Sequence, residues 1–372
     1  MKLKKIIIFY PSFERGGVEI NLINLINYFS KKNIKIDLIS NNVHKNEKLK
    51  NLKNINFYPI NFKNIFINKR LSLAIKATIQ LLKLIKINNH NDTIIFSLQS
   101  SMLPILVSKF SKMKIVARNA SDPISSTIYA ENKIYSSIIF LLRFFIYNLA
   151  NGIITNSKGS AKSLEFFVFN KKKIKAIYNP YVKKIIDFKN VKKNKQVLSI
   201  GRFCKQKNFK FLINVFEKFI VKNPDYKLVI VGDGNYKTKL KNLIKTKKLS
   251  NKVLLKGWVK DTSKFFTKSK IFVLPSLYEG LGNVVIDSLN YSVPVICTNC
   301  KSGPNEIIMG KKGGYLVNVN NENQMLYSIN YSINNYKKSI KKTKYARKYL
   351  YRFLIEKNSE KYLNFLNKQL TN

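Results

Sequence analysis

Short runs of apolar residues recur along this chain, and each is followed by a stretch with helical spacing. Ile6–Phe9, Ile36–Ile39, Thr93–Phe96, Lys114–Ala117 and Gly152–Thr155 have the length and content of strands buried on both faces. Between them, Val18–Lys31, Leu71–Ile87, Leu103–Ser111 and Ile134–Leu149 carry apolar residues at helical intervals. Strand and helix in alternation predict a parallel sheet with helices on both faces. The pattern restarts after Asn179-Pro180. Gln196–Ile200, Lys227–Val231, Val253–Lys256, Ile271–Leu274 and Pro294–Cys297 read as a second set of strands. Helices are expected at Asn208–Lys222, Tyr236–Thr246, Thr262–Lys268, Val284–Asn290 and Glu322–Asn335.

The chain has 372 residues, enough for two cores of ordinary size. The Lys-rich stretch Tyr181–Lys195 follows Pro180 and lacks a clear period. It predicts a first domain over 1–182, a linker over 183–195 and a second domain over 196–350. A long helix over about Lys337–Asn367 closes the chain, and its last part, 351–372, is expected to return toward the first domain. Both domains are Rossmann-like, and open sheets of this kind bind ligands outside the carboxyl ends of their strands. The site is therefore expected in a cleft between the domains.

The formal net charge is +49, from 68 Lys+Arg against 19 Asp+Glu, and only seven of the cations are Arg. Uniform enrichment in Lys, Asn and Ile is what an AT-rich genome produces, so part of this charge reflects composition. The functional reading of the remainder is an anionic membrane surface. Nucleic acid is not expected as a partner, because base readout favours the Arg fork.

Three cysteines, Cys204, Cys297 and Cys300, do not make a disulfide framework and point to a reducing compartment. The lone C-x-x-C at 297–300 lacks further ligands for zinc and reads as two reduced thiols at a strand end. Met1–Tyr10 is basic and then apolar, but the apolar run is only a strand long and ends at Pro11. Ile134–Ala150 is interrupted by Arg143 and is shorter than the roughly 20 residues that span a bilayer. No transmembrane segment is expected. The expected location is the cytoplasm, with peripheral attachment to the inner face of the cytoplasmic membrane.

Three segments carry chemistry. In Phe13-Glu14-Arg15-Gly16-Gly17-Val18-Glu19, Gly16 and Gly17 let backbone approach a ligand, and the following helix offers free N–H groups. In Ser199–Asn208, Arg202 and Lys207 can converge on a diphosphate, one as a fork and one as a point charge. The third is the most informative: a strand ending at Leu274, then Glu279-Gly280-Leu281-Gly282-Asn283, then a helix bearing Asp287. Loop amides and the helix dipole suit a diphosphate. Glu279 can accept from sugar hydroxyls, and Asp287 from a ribose diol.

Gly201-Arg202, Lys207, Val231-Gly232-Asp233-Gly234, Gly257-Trp258-Val259, Glu279–Asn283, Pro294-Val295 and Ser302-Gly303-Pro304-Asn305-Glu306-Ile307 occur in a fixed order. So do Gly16-Gly17, Thr155-Asn156-Ser157 and Tyr178-Asn179-Pro180. In this order the chain resembles the GT4-like retaining glycosyltransferases over nearly its whole length. The resemblance implies a GT-B fold with no catalytic metal and no cofactor, the nucleotide-sugar being a substrate. It places Arg202 and Lys207 on the donor diphosphate, Glu279 on the transferred hexose or N-acetylhexosamine and Asp287 on the ribose. Gly16, Gly17, Gly280, Leu281, Gly282, Asn283 and Trp258 complete the donor side, with UDP the expected nucleotide.

Two departures stand out. The family's second acid is usually Glu, where this chain has Asp287. His44 and His90 fall in no acceptor-side motif; Arg118 and Asn119 occupy the corresponding stretch and are expected to line the acceptor side. The implied acceptor is lipid-linked or a polysaccharide of the cell envelope.

Two other readings stay open. A basic lipid- or nucleic-acid-binding protein without catalysis explains the charge but not Glu279–Gly282. Another enzyme of the same fold, such as an epimerase, is possible on fold alone. A dinucleotide fingerprint fails for want of a third Gly after Gly232-Asp233-Gly234. One further feature concerns the membrane. Lys69–Lys86 combines Lys69, Arg70, Lys76, Lys83 and Lys86 with Leu71, Leu73, Ile75, Ile79, Leu82 and Ile85. This is either a basic amphipathic helix for an anionic leaflet or an ordinary surface helix with its apolar side inward.

Overall fold

The computed structural model describes residues 3–13, 16–42, 49, 52–61, 69–186 and 193–371, with Lys69 and Arg70 described in backbone only. Glu14 and Arg15 of the first glycine motif and residues 187–192 of the expected linker lie outside them.

The strands are β1 (Lys5–Phe9), β2 (Lys35–Ser40), β3 (Ile55–Pro59), β4 (Thr93–Ser97), β5 (Lys114–Asn119), β6 (Gly152–Thr155), β7 (Ile174–Ala176), β8 (Gln196–Ile200), β9 (Lys227–Val231), β10 (Val253–Lys256), β11 (Ile271–Leu274), β12 (Val295–Thr298) and β13 (Tyr315–Val317). The α-helices are α1 (Gly17–Lys31), α2 (Lys69–Ile87), α3 (Met102–Lys109), α4 (Pro123–Ile128), α5 (Lys133–Ile146), α6 (Lys158–Leu164), α7 (Phe209–Lys222), α8 (Lys237–Thr246), α9 (Ser263–Lys268), α10 (Asn283–Asn290), α11 (Pro304–Ile307), α12 (Glu322–Asn334), α13 (Tyr336–Arg347) and α14 (Ile355–Thr371). They form two compact units. Unit 1 holds residues 1–127, 132–183 and 352–372, and unit 2 holds 128–131 and 184–351.

Unit 1 contains a parallel sheet in the order β3-β2-β1-β4-β5-β6-β7. Successive side chains of a strand point to opposite faces, and here both faces are covered. Ile6 and Ile8 of β1, with Ile94 and Phe96 of β4, enter a core closed by α1 and α14. Ile7, Phe9 and Ile95 enter the core on the other side, closed by α2, α3, the end of α5 and α6. Burial on both sides is why these strands read as unbroken apolar runs.

Unit 2 has the parallel order β10-β9-β8-β11-β12-β13. Its core joins Val197, Ile230, Val273 and Ile296 to Phe209, Leu212, Ile213 and Phe216 of α7. In both sheets the chain lays strands outward on one side of its first strand, then crosses to the other. The crossing leaves a switch point between β1 and β4 in unit 1 and between β8 and β11 in unit 2.

One expected element is corrected. The helix predicted over Lys337–Asn367 is two helices, α13 and α14, separated by a 3₁₀ turn at Leu350–Phe353. Phe353 is fully buried, packs on Tyr178 with ring centroids 5.0 Å apart, and its carbonyl accepts from the amides of Tyr181 (3.0 Å) and Val182 (2.8 Å). A straight helix would spend that carbonyl on its own next turn. Strands β3, β7 and β13 were not anticipated; each lies at a sheet edge.

Candidate active site

The loops that follow β8 and β11 meet at the switch point of unit 2, where an open parallel sheet leaves a crevice. After β8 the chain runs through Gly201 and Arg202 into a 3₁₀ turn at Lys205–Lys207. The Lys207 stem crosses Gly201 so closely that a Cβ there would lie 3.1 Å from it. After β11 the chain passes through Ser276 and Glu279 to Gly282, which precedes α10 with φ +86°. The two loops are tied by Leu277 N–H to the Gln206 carbonyl (2.8 Å) and by the Gln206 amide to the Tyr278 carbonyl (2.9 Å).

Glu279 is 6% exposed. Its Oε1 pairs with Lys207 Nζ and accepts from Ser276 Oγ at 2.7 Å. Its backbone carbonyl accepts from Ser302 Oγ at 2.7 Å. The adjacent Gly303 has φ +88°, and a Cβ there would lie 2.5 Å from the Leu281 carbonyl oxygen. Glycine is therefore required for the 302–304 turn to lie against the Glu279–Gly282 loop. The serines at 276 and 302 were missed in the sequence, where the only signal was small polar residues beside a strand end and a Gly-Pro turn.

Arg202 is exposed, and its positive charge is felt at the Tyr278 phenol, whose pKa burial pushes up. Asn283 is the first residue of α10, and Asp287 stands half-buried one turn further on. The structure thus sets Lys207 against Glu279 and ties the Arg202 loop to the loop that runs through Gly280, Leu281 and Gly282 into Asn283 and Asp287 of α10. Trp258 is 45% exposed and follows β10, the edge strand, two strands away from β8.

The C-x-x-C cysteines are free and buried behind this loop. Cys300 Sγ donates to the Ser276 carbonyl at 3.3 Å, and burial pushes its thiol up to about 12. Burial also raises Cys297 well above an ordinary thiol. Both are protonated packing residues. Among the described residues, no three His, Cys, Asp or Glu side chains come together as metal ligands.

In unit 1, Gly16 caps α1 and Gly17 is its first residue, after β1 and at that sheet's switch point. Gly16 is extended (φ −174°), and a Cβ there would meet nothing within 4 Å, so that loop is open on this side. Arg118 and Asn119 are interior side chains rather than open ones. Arg118 is 4% exposed, with Nε donating to Tyr362 Oη (3.1 Å) and Nη2 to Asn179 Oδ1 (2.7 Å). It ties β5 to α14 and to the Asn179-Pro180 turn. Asn119 donates to the Ser121 carbonyl at 2.7 Å and shapes its own loop. Nearby, Arg118 Nη1, Asp122 Oδ2 and Asn156 Oδ1 are buried without a hydrogen-bond partner. One donor and two acceptors at the carboxyl ends of β5 and β6 suit a hydroxyl-bearing ligand.

Residues 182–349 match the family described as Glycosyl transferases group 1, and residues 15–182 match Glycosyltransferase Family 4. An uncharacterized glycosyltransferase of Methanocaldococcus jannaschii is 36% identical over 258 residues, covering 63% of this chain and 62% of that protein. N-acetylgalactosamine-N,N'-diacetylbacillosaminyl-diphospho-undecaprenol 4-alpha-N-acetylgalactosaminyltransferase of Campylobacter jejuni is 35% identical over 229 residues, covering 59% of this chain and 60% of that protein. The chain therefore matches about 60% of the length of these relatives. The crystal structure of an S. aureus TarM mutant with fondaparinux, alpha-GlcNAc-glycerol and UDP superposes with TM-score 0.79 at 18% identity, covering 99% of this chain and all of that one. At that identity the likeness is one of fold.

Proposed function

The chain belongs to the GT4-like glycosyltransferases of GT-B fold, and from that premise we propose that it moves a hexose or N-acetylhexosamine from a nucleotide-sugar, a UDP-sugar, to a lipid-linked or polysaccharide acceptor of the cell envelope. The observation that carries this reading is the setting of Glu279: a buried carboxylate, gripped by Lys207 and Ser276, beside the start of α10 and the Arg202 loop. A basic binding protein has no use for such a group.

The donor diphosphate is assigned to Arg202, Lys207 and the amides of Gly280–Asn283, with the α10 dipole adding to the positive field. Glu279 accepts from hydroxyls of the transferred sugar, and Asp287 from the ribose. During transfer the bond from the anomeric carbon to the diphosphate oxygen breaks and a bond to the acceptor oxygen forms. The acceptor's proton passes to the departing diphosphate, so no separate general base is needed. The protein's contribution is preorganised charge where the leaving group gains it. Because Arg202 and Lys207 meet that charge, the reaction is proposed to need no metal.

A lipid-linked acceptor would bring the enzyme to the inner face of the cytoplasmic membrane as a peripheral protein. Among the described residues no helix is long and apolar enough to cross a bilayer. The experiment is a panel of nucleotide-sugars with polyprenyl-diphosphate glycans, reading nucleoside diphosphate release and product mass with and without EDTA. Transfer from one UDP-sugar that persists in EDTA is expected. No turnover with any donor would overturn the enzymatic reading, and strict dependence on Mn²⁺ or Mg²⁺ would overturn the metal-free mechanism.

A further inference from the structure

Unit 1 has two outer surfaces, and they differ. Helices α2, α3 and α5 lie over one face of the sheet and close the core that holds Ile7, Phe9 and Ile95. Helices α1 and α14 lie over the other. On the first surface large apolar side chains point outward. Leu73, Ala77, Leu81 and Leu84 of α2 fill the core, yet Leu71, Ile75, Ile79 and Leu82, at helical spacing on another side of the same helix, are exposed. On α5, Phe140 and Phe144 turn inward onto Phe167, while Ile134 (78%), Ile138, Leu141 and Phe145 (73%) form an exposed stripe, with Tyr135 and Leu142 beside it. Phe110, just after α3, is 92% exposed. On the opposite layer the only comparable exposed side chain among the described residues of α1 and α14 is Ile20.

Charge follows the same division. The sequences of α2, α3 and α5 contain no Asp or Glu, and they carry Lys69, Arg70, Lys76, Lys83, Lys86, Lys109, Lys133 and Arg143. Helices α1 and α14 carry Lys31, Lys357, Lys361 and Lys368, but offset them with Glu19, Glu356 and Glu360. A genome-wide drift toward Lys and Ile acts on both layers alike, so it does not produce this asymmetry. Apolar residues scattered singly on a surface are ordinary. Two helices with continuous outward stripes, free of acid and bordered by lysines, are not.

We propose that the outer surface of the α2–α3–α5 layer is the face by which this chain lies on an anionic bilayer. The exposed stripes of α2 and α5 enter the headgroup region, and the lysines pair with anionic lipid headgroups. A second copy of the chain fits poorly, because a two-fold contact would set one strongly basic face against another. This deepens the peripheral reading given above, and it depends on the surface alone rather than on the sugar chemistry.

The test is sedimentation of the full chain with vesicles of phosphatidylglycerol and phosphatidylcholine, or of phosphatidylcholine alone, at low and high salt. Two variants address the surface: Ile138→Ser with Leu141→Ser and Phe145→Ser, and Lys83→Glu with Lys86→Glu and Lys109→Glu. A third places the same charge change on the opposite layer: Lys31→Glu with Lys32→Glu and Lys357→Glu. UDP binding, measured on each, reports the fold of unit 2 and separates failure of this proposal from failure of the enzymatic one. Circular dichroism reports the fold of the whole chain, so a loss with UDP binding intact points to unit 1. The unmodified chain is expected to sediment only with anionic vesicles and to be released by salt. Both surface variants should partition at least about tenfold less, the charge variant at roughly fivefold per lysine removed, and the opposite-layer variant should keep most of its binding. If the apolar variant misfolds, Phe145→Ser alone repeats the test. Equal recovery in the supernatant with both vesicle types, equal losses in all three variants, or a lipid-independent dimer abolished by Ile138→Ser would each overturn it.

Discussion

A buried carboxylate is costly unless it is paired and hydrogen-bonded, and Glu279 is held by both Lys207 and Ser276. Glu279→Gln keeps the shape and the Ser276 bond but removes the charge that orients Lys207 and the sugar. Turnover should fall by about 100-fold or more, while UDP binds as before. Asp287→Ala should do the reverse, weakening UDP by about 1–2 kcal/mol through loss of a ribose acceptor. Steady-state kinetics beside calorimetry checks the pair, and the opposite pattern would exchange the two roles. The cysteines give a second check at this scale. Cys300 is pushed to about 12 and Cys297 is raised by burial, so at pH 8 neither is a thiolate. Iodoacetamide on the native chain should add one group, at half-buried Cys204, as read by intact mass. Rapid modification of all three would mean that the loop behind Glu279 opens.

At the scale of elements, the site depends on two loops tied through Gln206, and on glycine at 282 and 303 to shape and seat the second of them. Gly303→Ala places a Cβ against the Leu281 carbonyl and forces a left-handed φ on a residue that resists it. It should cost about 1–3 kcal/mol in stability and loosen UDP binding, as thermal unfolding with and without UDP would show. A variant with unchanged Tm and affinity would remove this turn from the account. These loops were legible in the sequence because glycines, an Arg and two acids fall at fixed places between a strand and a helix. The buried strands were legible for the same kind of reason, since two covered faces leave an unbroken apolar run. Edge strands β3, β7 and β13 were not, because a half-exposed strand keeps no such run; β3 ends on Pro59 with Phe57 partly exposed. The break between α13 and α14 was hidden because Tyr349–Phe353 carries helix-compatible residues. What stops the helix there is the pairing of the Phe353 carbonyl with Tyr181 and Val182, far away in sequence. The ties of Arg118 were hidden for a related reason: its partners Tyr362 and Asn179 are long-range.

For the molecule as a whole, the sequence left open whether a charge of +49 reflects genome composition or a partner. The uneven distribution of acid and exposed apolar residues over unit 1 favours a partner, while the chemistry is assigned chiefly to the switch point of unit 2. The metal-free proposal belongs to this scale too, because it rests on the protein's own cations: transfer in EDTA should match transfer in added Mg²⁺ within about twofold, as expected when Arg202 and Lys207 meet the diphosphate charge. The central claim is that a nucleoside diphosphate sits on the loops after β8 and β11. Calorimetric titration of UDP into the intact chain and into Arg202→Ala tests it most directly. The account predicts saturable one-to-one binding that the substitution weakens by about 2–4 kcal/mol. Absence of binding by the unmodified chain, or equal affinity in Arg202→Ala, would contradict it.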